Sequence, residues 1–477
     1  MRRAGTGLAL LAAAAALAAG PAEAAPPAPR AADQPLNDGC QRSNGGILLV
    51  TSPEWVYVYR NRTPRTLEGL VTGAGPSRED QPGVHRWYDV TMDLRVDARF
   101  RYLLGGSPTA HTGNFARSGE ETEPAGQIHP EWETGTWPAF GWPTAGDRVK
   151  LWGWWVWDCG HWRGGSLNEP SSPLTGERTE LHPLQAAVTL RRAGFRSPRG
   201  ETQADAFISS NGNGAHAVAD CALKMQPISA TSYGDQLRDC ARNPANFVQP
   251  LARSYSFFVP APPRPSSSAR LVWREVRRRP GGTDRVRARS NGVEVTASTT
   301  RQFARTYYVG WSQPPRRPPT LLSVRLDSLR ILRVSDPNPR KPGQRSQPPD
   351  ELNLYLDANG DWTFVNHWAP GLAAASRGES FRVGRSVQIY VPAGQPVRLV
   401  VRGRECDIPS HSVQFGFLVP LIHPCPPTPR EFQIGNDSPG VAEAEYGSAA
   451  RAVGRHVLRS RGGDGAFAAT FTVRRLS

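Results

Sequence analysis

Between Lys150 and Arg192 the chain places Asp158, Cys159, His161, Glu180 and His182 against an unusually tryptophan-rich segment, K-L-W-G-W-W-V-W-D-C-G-H-W. Four of the fourteen Trp fall between Trp152 and Trp157, and Trp162 follows. Charged and imidazole groups beside such an apolar wall need partners, because a buried unpaired ion costs several kcal/mol. Two imidazoles and two carboxylates are also a ligand set of Zn, Mn or Fe sites. Equally, they make a hydrogen-bonded network in which each carboxylate orients an imidazole and no ion is held. Asp158, His161, Glu180 and His182 are therefore the primary candidate cluster, with His129 and Glu131 of I-H-P-E-W a second His/carboxylate pair.

Strand periodicity is what would bring these groups together. Alternation puts Trp152, Trp154, Val156 and Asp158 on one face and Gly153, Trp155, Trp157 and Cys159 on the other. In the following segment Glu180, His182, Leu184, Ala186, Val188 and Leu190 share one parity, so Glu180 and His182 face the core side unless Pro183 imposes a bulge. Gly160 lets His161 fold back over the strand end, and the four polar groups converge at one rim. A strand this rich in Trp is read as core; exposed, it would stack sugars or organic cations.

The order W-P-x-x-G-D-x-V…G-x-W-V-x-D-C-G-H…R-T-E-L-H-P, Trp142 to Pro183, resembles uncharacterised secreted bacterial proteins that carry a G-x-W-V-x-D-x-x-H…E-I-H-P block. The resemblance covers some forty to seventy residues and implies no established activity. It implies a β-barrel with Asp158, His161, Glu180 and His182 at its rim. Leu181 stands where that block has Ile, and the stretch between His161 and Arg178 is long; neither departure touches the polar set.

Short alternating segments recur between Gly/Pro/Asn/Asp clusters, and helical periodicity is nearly absent outside 441–453. The chain is expected to be all-β with little helix: an N-terminal β-barrel-like unit followed by one or two β-sandwich domains. Composition shifts and the Pro-rich runs 260–265 and 314–319 divide it into 36–198 (the barrel-like unit), 199–313 (a second sandwich-like unit or an extension of the first) and 320–477 (a C-terminal sandwich). Asn359-Gly360 between alternating segments predicts a type I′ hairpin turn. Asp357, Asn359 and Asp361 imitate the first half of a calcium loop, but the twelfth-position Glu is missing. Asp327, Asp336 and Asp357 remain calcium candidates at sandwich loops, against a hairpin-turn reading that explains the same residues.

Met1-Arg2-Arg3, the apolar stretch 8–19 and Ala22-Glu23-Ala24 read as a signal peptide, residues 1–24, and so as a secreted protein. The apolar stretch is too short to span a bilayer, and no transmembrane segment is expected in the mature chain. Loss of Arg2, Arg3 and Glu23 lowers the formal charge of +15 by one. That charge favours anionic cell-wall polymers, carbohydrate or lipid head groups of the cell envelope. Nucleic acid is disfavoured, because Arg277-Arg278-Arg279 and Arg316-Arg317 sit beside Pro/Gly turns as solvated loop charge, without interleaved aromatics. H-E-x-x-H, G-x-S-x-G, the Walker loop and a dinucleotide fingerprint are all absent. The functional readings are a secreted envelope binding or structural protein and, alternatively, an exported metal-dependent hydrolase.

Six Cys in an exported chain imply disulfides. Chain order suggests Cys221–Cys240, Cys406–Cys425 and Cys40–Cys159; a nucleophilic Cys159 beside His161 would leave an odd Cys elsewhere. Non-reducing peptide mapping of exported protein should find no free thiol at any of the six. Deleting the Cys406–Cys425 bridge should cost about 3 kcal/mol, typical for a loop of that length.

Overall fold

The computed structural model describes residues 55–58, 64–76, 90–109, 111–115, 126–132, 137–158, 178–210, 251–335, 350, 352–405 and 438–477. The expected signal segment, all six cysteines, His161 and Asp336 lie outside the described residues, as do the side chains of Trp157 and Asp158. What is described is mostly strand, in antiparallel sheets stacked as sandwiches. Among the described residues no helix is long and apolar enough to cross a membrane.

The largest sheet has ten strands. These are β1 (Trp55–Tyr57), β2 (Arg65–Pro76), β3 (Val90–Val96), β4 (Gln127–Ile128), β5 (Glu131–Trp132), β6 (Arg148–Asp158), β7 (Arg178–Leu190), β8 (Thr202–Ser209), β10 (Leu271–Arg279) and β13 (Gln302–Trp311). They run in the order β10-β13-β8-β7-β6-β2-β3-β4, with β1 also on β6 and β5 on β3. The sheet curls until β5 lies against β7, yet no backbone ladder joins the two. The barrel-like expectation is corrected accordingly: among the described residues no closed barrel forms. Pro130 and Pro183 sit at the two segments that face each other there, and neither has an N–H to give a ladder. Side chains cross the gap instead. Asn114 donates its Nδ2 to the carbonyls of Thr179 and Gln127 at 3.0 and 2.9 Å and accepts the Thr179 N–H at 2.9 Å.

Inside the curl, Leu67, Val71, Met92, Leu94, Leu151, Trp155, Leu181 and Phe207 form one core. Trp154 and Trp155 are buried, and the Trp155 indole donates to the Leu103 carbonyl at 3.0 Å. That is core behaviour, as the sequence suggests. A three-stranded sheet, β11 (Thr283–Arg289), β12 (Gly292–Ser298) and β9 (Tyr255–Pro260), covers the other face. Its Tyr255, Phe257, Val293 and Val295 pack on Ala204, Ala206, Tyr307 and Val309. The ladders thus cross residue 198: β8, β10 and β13 continue the first sheet while β9, β11 and β12 face it. Arg277, Arg278 and Arg279 end an edge strand instead of lying in a loop, and Arg278 Nε donates to Thr306 at 2.7 Å.

After the Pro-rich run every strand joins a second sandwich. One sheet orders β17 (Ser380–Val391), β14 (Thr320–Arg333), β21 (Ala466–Arg475) and β20 (Gly454–Arg459); the other orders β16 (Asp361–Phe364), β15 (Leu352–Ala358), β18 (Val397–Glu405) and β19 (Ala442–Tyr446). Leu322, Val324, Leu354, Leu356, Leu399, Phe467 and Phe471 fill the space between them. The helical window shrinks to α1 (Ala449–Ala452), capped by Ser448 and flanked by strands. The β15–β16 turn forms as its dipeptide demands: Ala358 pairs with Asp361, and Asn359 and Gly360 take φ of 53° and 94°. A side chain at Gly360 would also press on Arg191, 2.8 Å from the Cβ position.

That turn docks the second sandwich onto the first. Trp362 Nε1 donates to the Pro143 carbonyl at 3.2 Å, and Trp142 meets Trp362 and Tyr355 at ring distances of 5.7 and 5.6 Å. Arg196 pairs with Asp361 at 2.9 Å, and the Tyr390 N–H reaches the Phe195 carbonyl at 2.9 Å. Asp357 is wholly buried here. Its Oδ1 accepts the Gly360 N–H at 2.6 Å, while Oδ2 makes no hydrogen bond of good geometry although Thr144 lies beside it. Burial, with the nearby Asp147 charge, pushes the Asp357 carboxyl up to about 6, outweighing Thr144, Gly360 and Arg398.

A carboxyl raised in the folded state favours its protonated form. Its stabilising contribution is full below the ordinary carboxyl range and is lost as pH rises through about 6. Asp357→Asn should therefore flatten the parent's stability difference between about pH 4 and about pH 7, on the order of 2–3 kcal/mol. Thermal melts of parent and variant across that range check it; parallel profiles would contradict the assignment.

Candidate functional site

β7 brings Glu180 and His182 into the seam between β7 and β5. The β6–β7 ladder pairs Val156 with Glu180 and Trp155 with Leu181, then slips twice before Trp152 meets Ala186. Each slip inserts a residue on β7 around Pro183 and reverses the parity that follows. Leu181, Leu184 and Ala187 consequently pack in the core of the curl, while Ala186 and Val188 pack beneath the three-stranded sheet. The expectation that Glu180 and His182 share one face with Leu184, Ala186 and Val188 is corrected for Leu184 alone: the first slip at Pro183 turns Leu184 to the face of Leu181, and the second returns Ala186 and Val188 to the face of Glu180.

The polar groups form a chain that alternates carboxylate and imidazole. His182 Nδ1 lies 3.0 Å from Glu180 Oε1 and 3.1 Å from Glu131 Oε2. Glu131 Oε1 lies 3.2 Å from His129 Nε2, and His129 Nδ1 lies 2.7 Å from Asp93 Oδ1. Side-chain exposure falls from 26% at Asp93 through 17% and 14% at His129 and Glu131 to 4% at His182 and 3% at Glu180. The chain therefore runs from near the surface to a sealed end. Glu131, Glu180 and His182 each offer a ligand atom within 4.8 Å of the others.

Local sequence explains the placement. β3 sends Val90, Met92 and Leu94 into the core, so Asp93 points away from it. Gly73, its ladder partner, leaves it room: a Cβ there would sit 3.0 Å from Asp93 Oδ2. Pro130 separates the two short strands and lets His129 and Glu131 reach the same side. Burial acts to raise the Asp93 carboxyl, but the hydrogen bond to His129 and the charges of His129, Arg402 and Arg178 outweigh it and hold the group below its ordinary range.

Charge sets what the cluster can do. Asp93, Glu131 and Glu180 bring three negative charges, against which Arg178 and Arg402 act on Asp93 from nearby. At the sealed end two carboxylates converge on one imidazole nitrogen, which has at most one proton to share between them. Nδ1 separations of 3.0 and 3.1 Å approach the roughly 3.3 Å expected between ligands that surround one ion at 2.0–2.1 Å. The donor set of two carboxylates and an imidazole suits Zn, Mn or Fe. His129 and Asp93 stand behind Glu131 as the outer partners that hold a ligand in orientation.

Of the residues singled out in the sequence, Glu180 and His182 come together, joined by His129 and Glu131. The Asp158 backbone pairs with Arg178 at the same end of β6–β7, its side chain and His161 being outside the described residues. Asp93 was missed. In V-T-M-D-L-R-V it occupies the polar parity of an ordinary half-buried strand, and only the fold reveals His129 beside it. The calcium candidates are not gathered: Asp327, on β14, is engaged by Arg325 and Thr472, both at 2.5 Å, and Asp357 holds its own hairpin turn. Asp336 lies outside the described residues.

No protein family matches the chain, and no curated protein matches it in sequence. Among solved structures, Extended-Synaptotagmin 2, comprising its SMP domain and two C2 domains, is similar over 91% of this chain and 92% of its own, at 10% identity and a TM-score of 0.18. A score that low supports no conclusion about shared fold or function.

Removing His182 takes the imidazole from between two carboxylates, and breaking such a pair typically costs about 3–5 kcal/mol; removing Glu180 takes one acceptor from His182 and leaves it Glu131. His182→Ala and Glu180→Gln should each destabilise the protein by a few kcal/mol, and the double variant by about 0.5–3 kcal/mol less than the sum. Denaturant titrations of the four proteins measure this coupling, and strict additivity would contradict a shared network.

Proposed function

We propose that this chain is an exported binding protein of the cell envelope that holds a divalent Zn, Mn or Fe ion at Glu131, Glu180 and His182. The convergence of two carboxylates, Glu180 buried and Glu131 half-buried, on one imidazole nitrogen carries this reading. A cation placed among them neutralises charge that a single proton cannot, and it ties β5 to β7 where no ladder does. His129 and Asp93 orient Glu131 in this arrangement. Such an ion, when bound, also supplies Lewis acidity, which is the basis of the alternative reading as an exported hydrolase. The near-complete burial of Glu180 and His182 supports holding an ion over turning over a substrate. The N-terminal signal pattern and the positive charge support an oxidising, anionic destination outside the cell, with wall polymer or carbohydrate as the surroundings.

Elemental analysis of protein recovered from the export compartment tests the proposal. About one equivalent of Zn, Mn or Fe is expected, lost in His182→Ala and bound about 10–100-fold more weakly in His129→Ala. No retained metal after reconstitution with each ion in turn would overturn it. N-terminal sequencing of the same sample should begin at Ala25; an intact Met1 would refute export by cleavage.

A further inference from the structure

The outer face of the β17-β14-β21-β20 sheet is covered by no other strand or helix among the described residues, and its composition is one-sided. These four strands contain nine arginines and a single carboxylate, Asp327. Register lays the outward groups out in rows. Ser386, Arg325, Thr472 and Arg455 cross the sheet in one row; Arg382, Ser328, Thr470 and Val457 in the next; Ser380, Arg330, Ala468 and Arg459 in the third. Small hydroxyl and methyl groups thus floor the face, and guanidinium groups stand around them. Arg325 pairs with Asp327 at 2.5 Å, and Arg455 feels the same carboxylate at longer range. Arg330, Arg382 and Arg459 form no ion pair with any described residue.

Apolar groups are exposed at the same place. Val453, Val457 and Leu476 are 44%, 57% and 50% exposed, and they are three of the five large exposed hydrophobics among the described residues. Along the edge strand the outward positions read Val453, Arg455, Val457, Arg459, so aliphatic and cationic groups alternate. Leu476 follows β21, at the end of the sheet where Gly454 pairs with Val473. Edge protection against aggregation would be served by Arg455 and Arg459 alone, and an exposed Val457 between them works against it. A hydrated polyanion gains nothing from those aliphatic groups. An interface that is anionic and also has an acyl boundary gains from both.

We infer that this face docks the C-terminal sandwich onto the surface of an anionic phospholipid bilayer, with Arg330, Arg382, Arg455 and Arg459 at the head groups and Val453, Val457 and Leu476 at the acyl boundary. The face belongs to the sandwich that does not carry the Glu131, Glu180 and His182 cluster, so it stands whether or not that cluster holds an ion.

Vesicle co-sedimentation of the whole purified chain tests it, using phosphatidylcholine vesicles with and without phosphatidylglycerol. Binding is expected only with phosphatidylglycerol and should weaken with salt. Each guanidinium near a charged surface contributes about fivefold in partitioning, so Arg330→Gln/Arg455→Gln/Arg459→Gln together should weaken binding on the order of a hundredfold. Removing equal charge elsewhere, as Arg277→Gln/Arg285→Gln/Arg287→Gln on β10 and β11, should leave most of the binding intact. All these side chains are at the surface, and unchanged melting curves confirm folding. Val457→Ser, which changes no charge, should weaken vesicle binding while leaving any binding to soluble dextran sulfate nearly unchanged. The proposal is overturned if the parent ignores phosphatidylglycerol, if the control variant loses as much as the test variant, or if Val457→Ser has no effect on vesicles.

Discussion

One buried guanidinium ties together the part of the first sandwich on which the second docks. Arg191, immediately after β7, is fully enclosed, with Nε on Asp205 at 2.7 Å and Nη1 on Asp147 at 3.0 Å. Its remaining donors reach the carbonyls of Trp142 and Phe140 at 2.6 and 2.5 Å. Burial alone would lower the Arg191 pKa, but Asp205 and Asp147 more than offset it and keep the charge. Asp205 in turn accepts from Thr306 and Gln203, and Asp147 from the backbone of Thr144 and Arg192. Strands β7, β8 and β13 and the turn entering β6 are fixed by that set. Gly360 then brings the second sandwich down on the same guanidinium. A buried ion pair adds little net stability over an apolar replacement, yet losing one partner is costly, so what Arg191 supplies is a single allowed arrangement.

The seam cluster depends on that arrangement at one remove. Asp93 is held low in part by Arg402, which comes from β18 of the second sandwich and also donates to the Ala74 carbonyl at 2.5 Å. The electrostatics at the surface end of the carboxylate–imidazole chain are therefore set in part by docking between units, whereas Glu131, Glu180 and His182 at the sealed end come from β5 and β7.

Much of the fold is legible in the sequence because alternation and turn chemistry are local. The Asn359-Gly360 hairpin, the core role of the Trp strand and the change of texture after Trp311 all follow from neighbours in the chain. What escapes is non-local. Alternation places Glu180 and His182 correctly near one another but fails at Leu184, where a proline without an N–H breaks the ladder and two slips shift parity and then restore it. His129 and Glu131 belong to the cluster because the sheet curls, and nothing within a few residues of them encodes the curl. Asp93 looks like any polar position on a half-covered strand. The helical window 441–453 keeps only α1, because its first half is drawn into the sandwich as the edge strand β19.

The contact between β5 and β7 has a kinetic meaning. Everywhere else in the ten-stranded sheet, neighbouring strands share backbone bonds that break together or not at all. Here, among the described residues, the join has no ladder and is made through side chains, the Asn114 amide and the Glu131–His182 contact among them. A join of this kind opens without unzipping a ladder, so its lifetime is set by a few polar contacts and not by the cooperativity of the sheet. The curl behaves as a clasp, able to loosen on its own while both sandwiches stay folded.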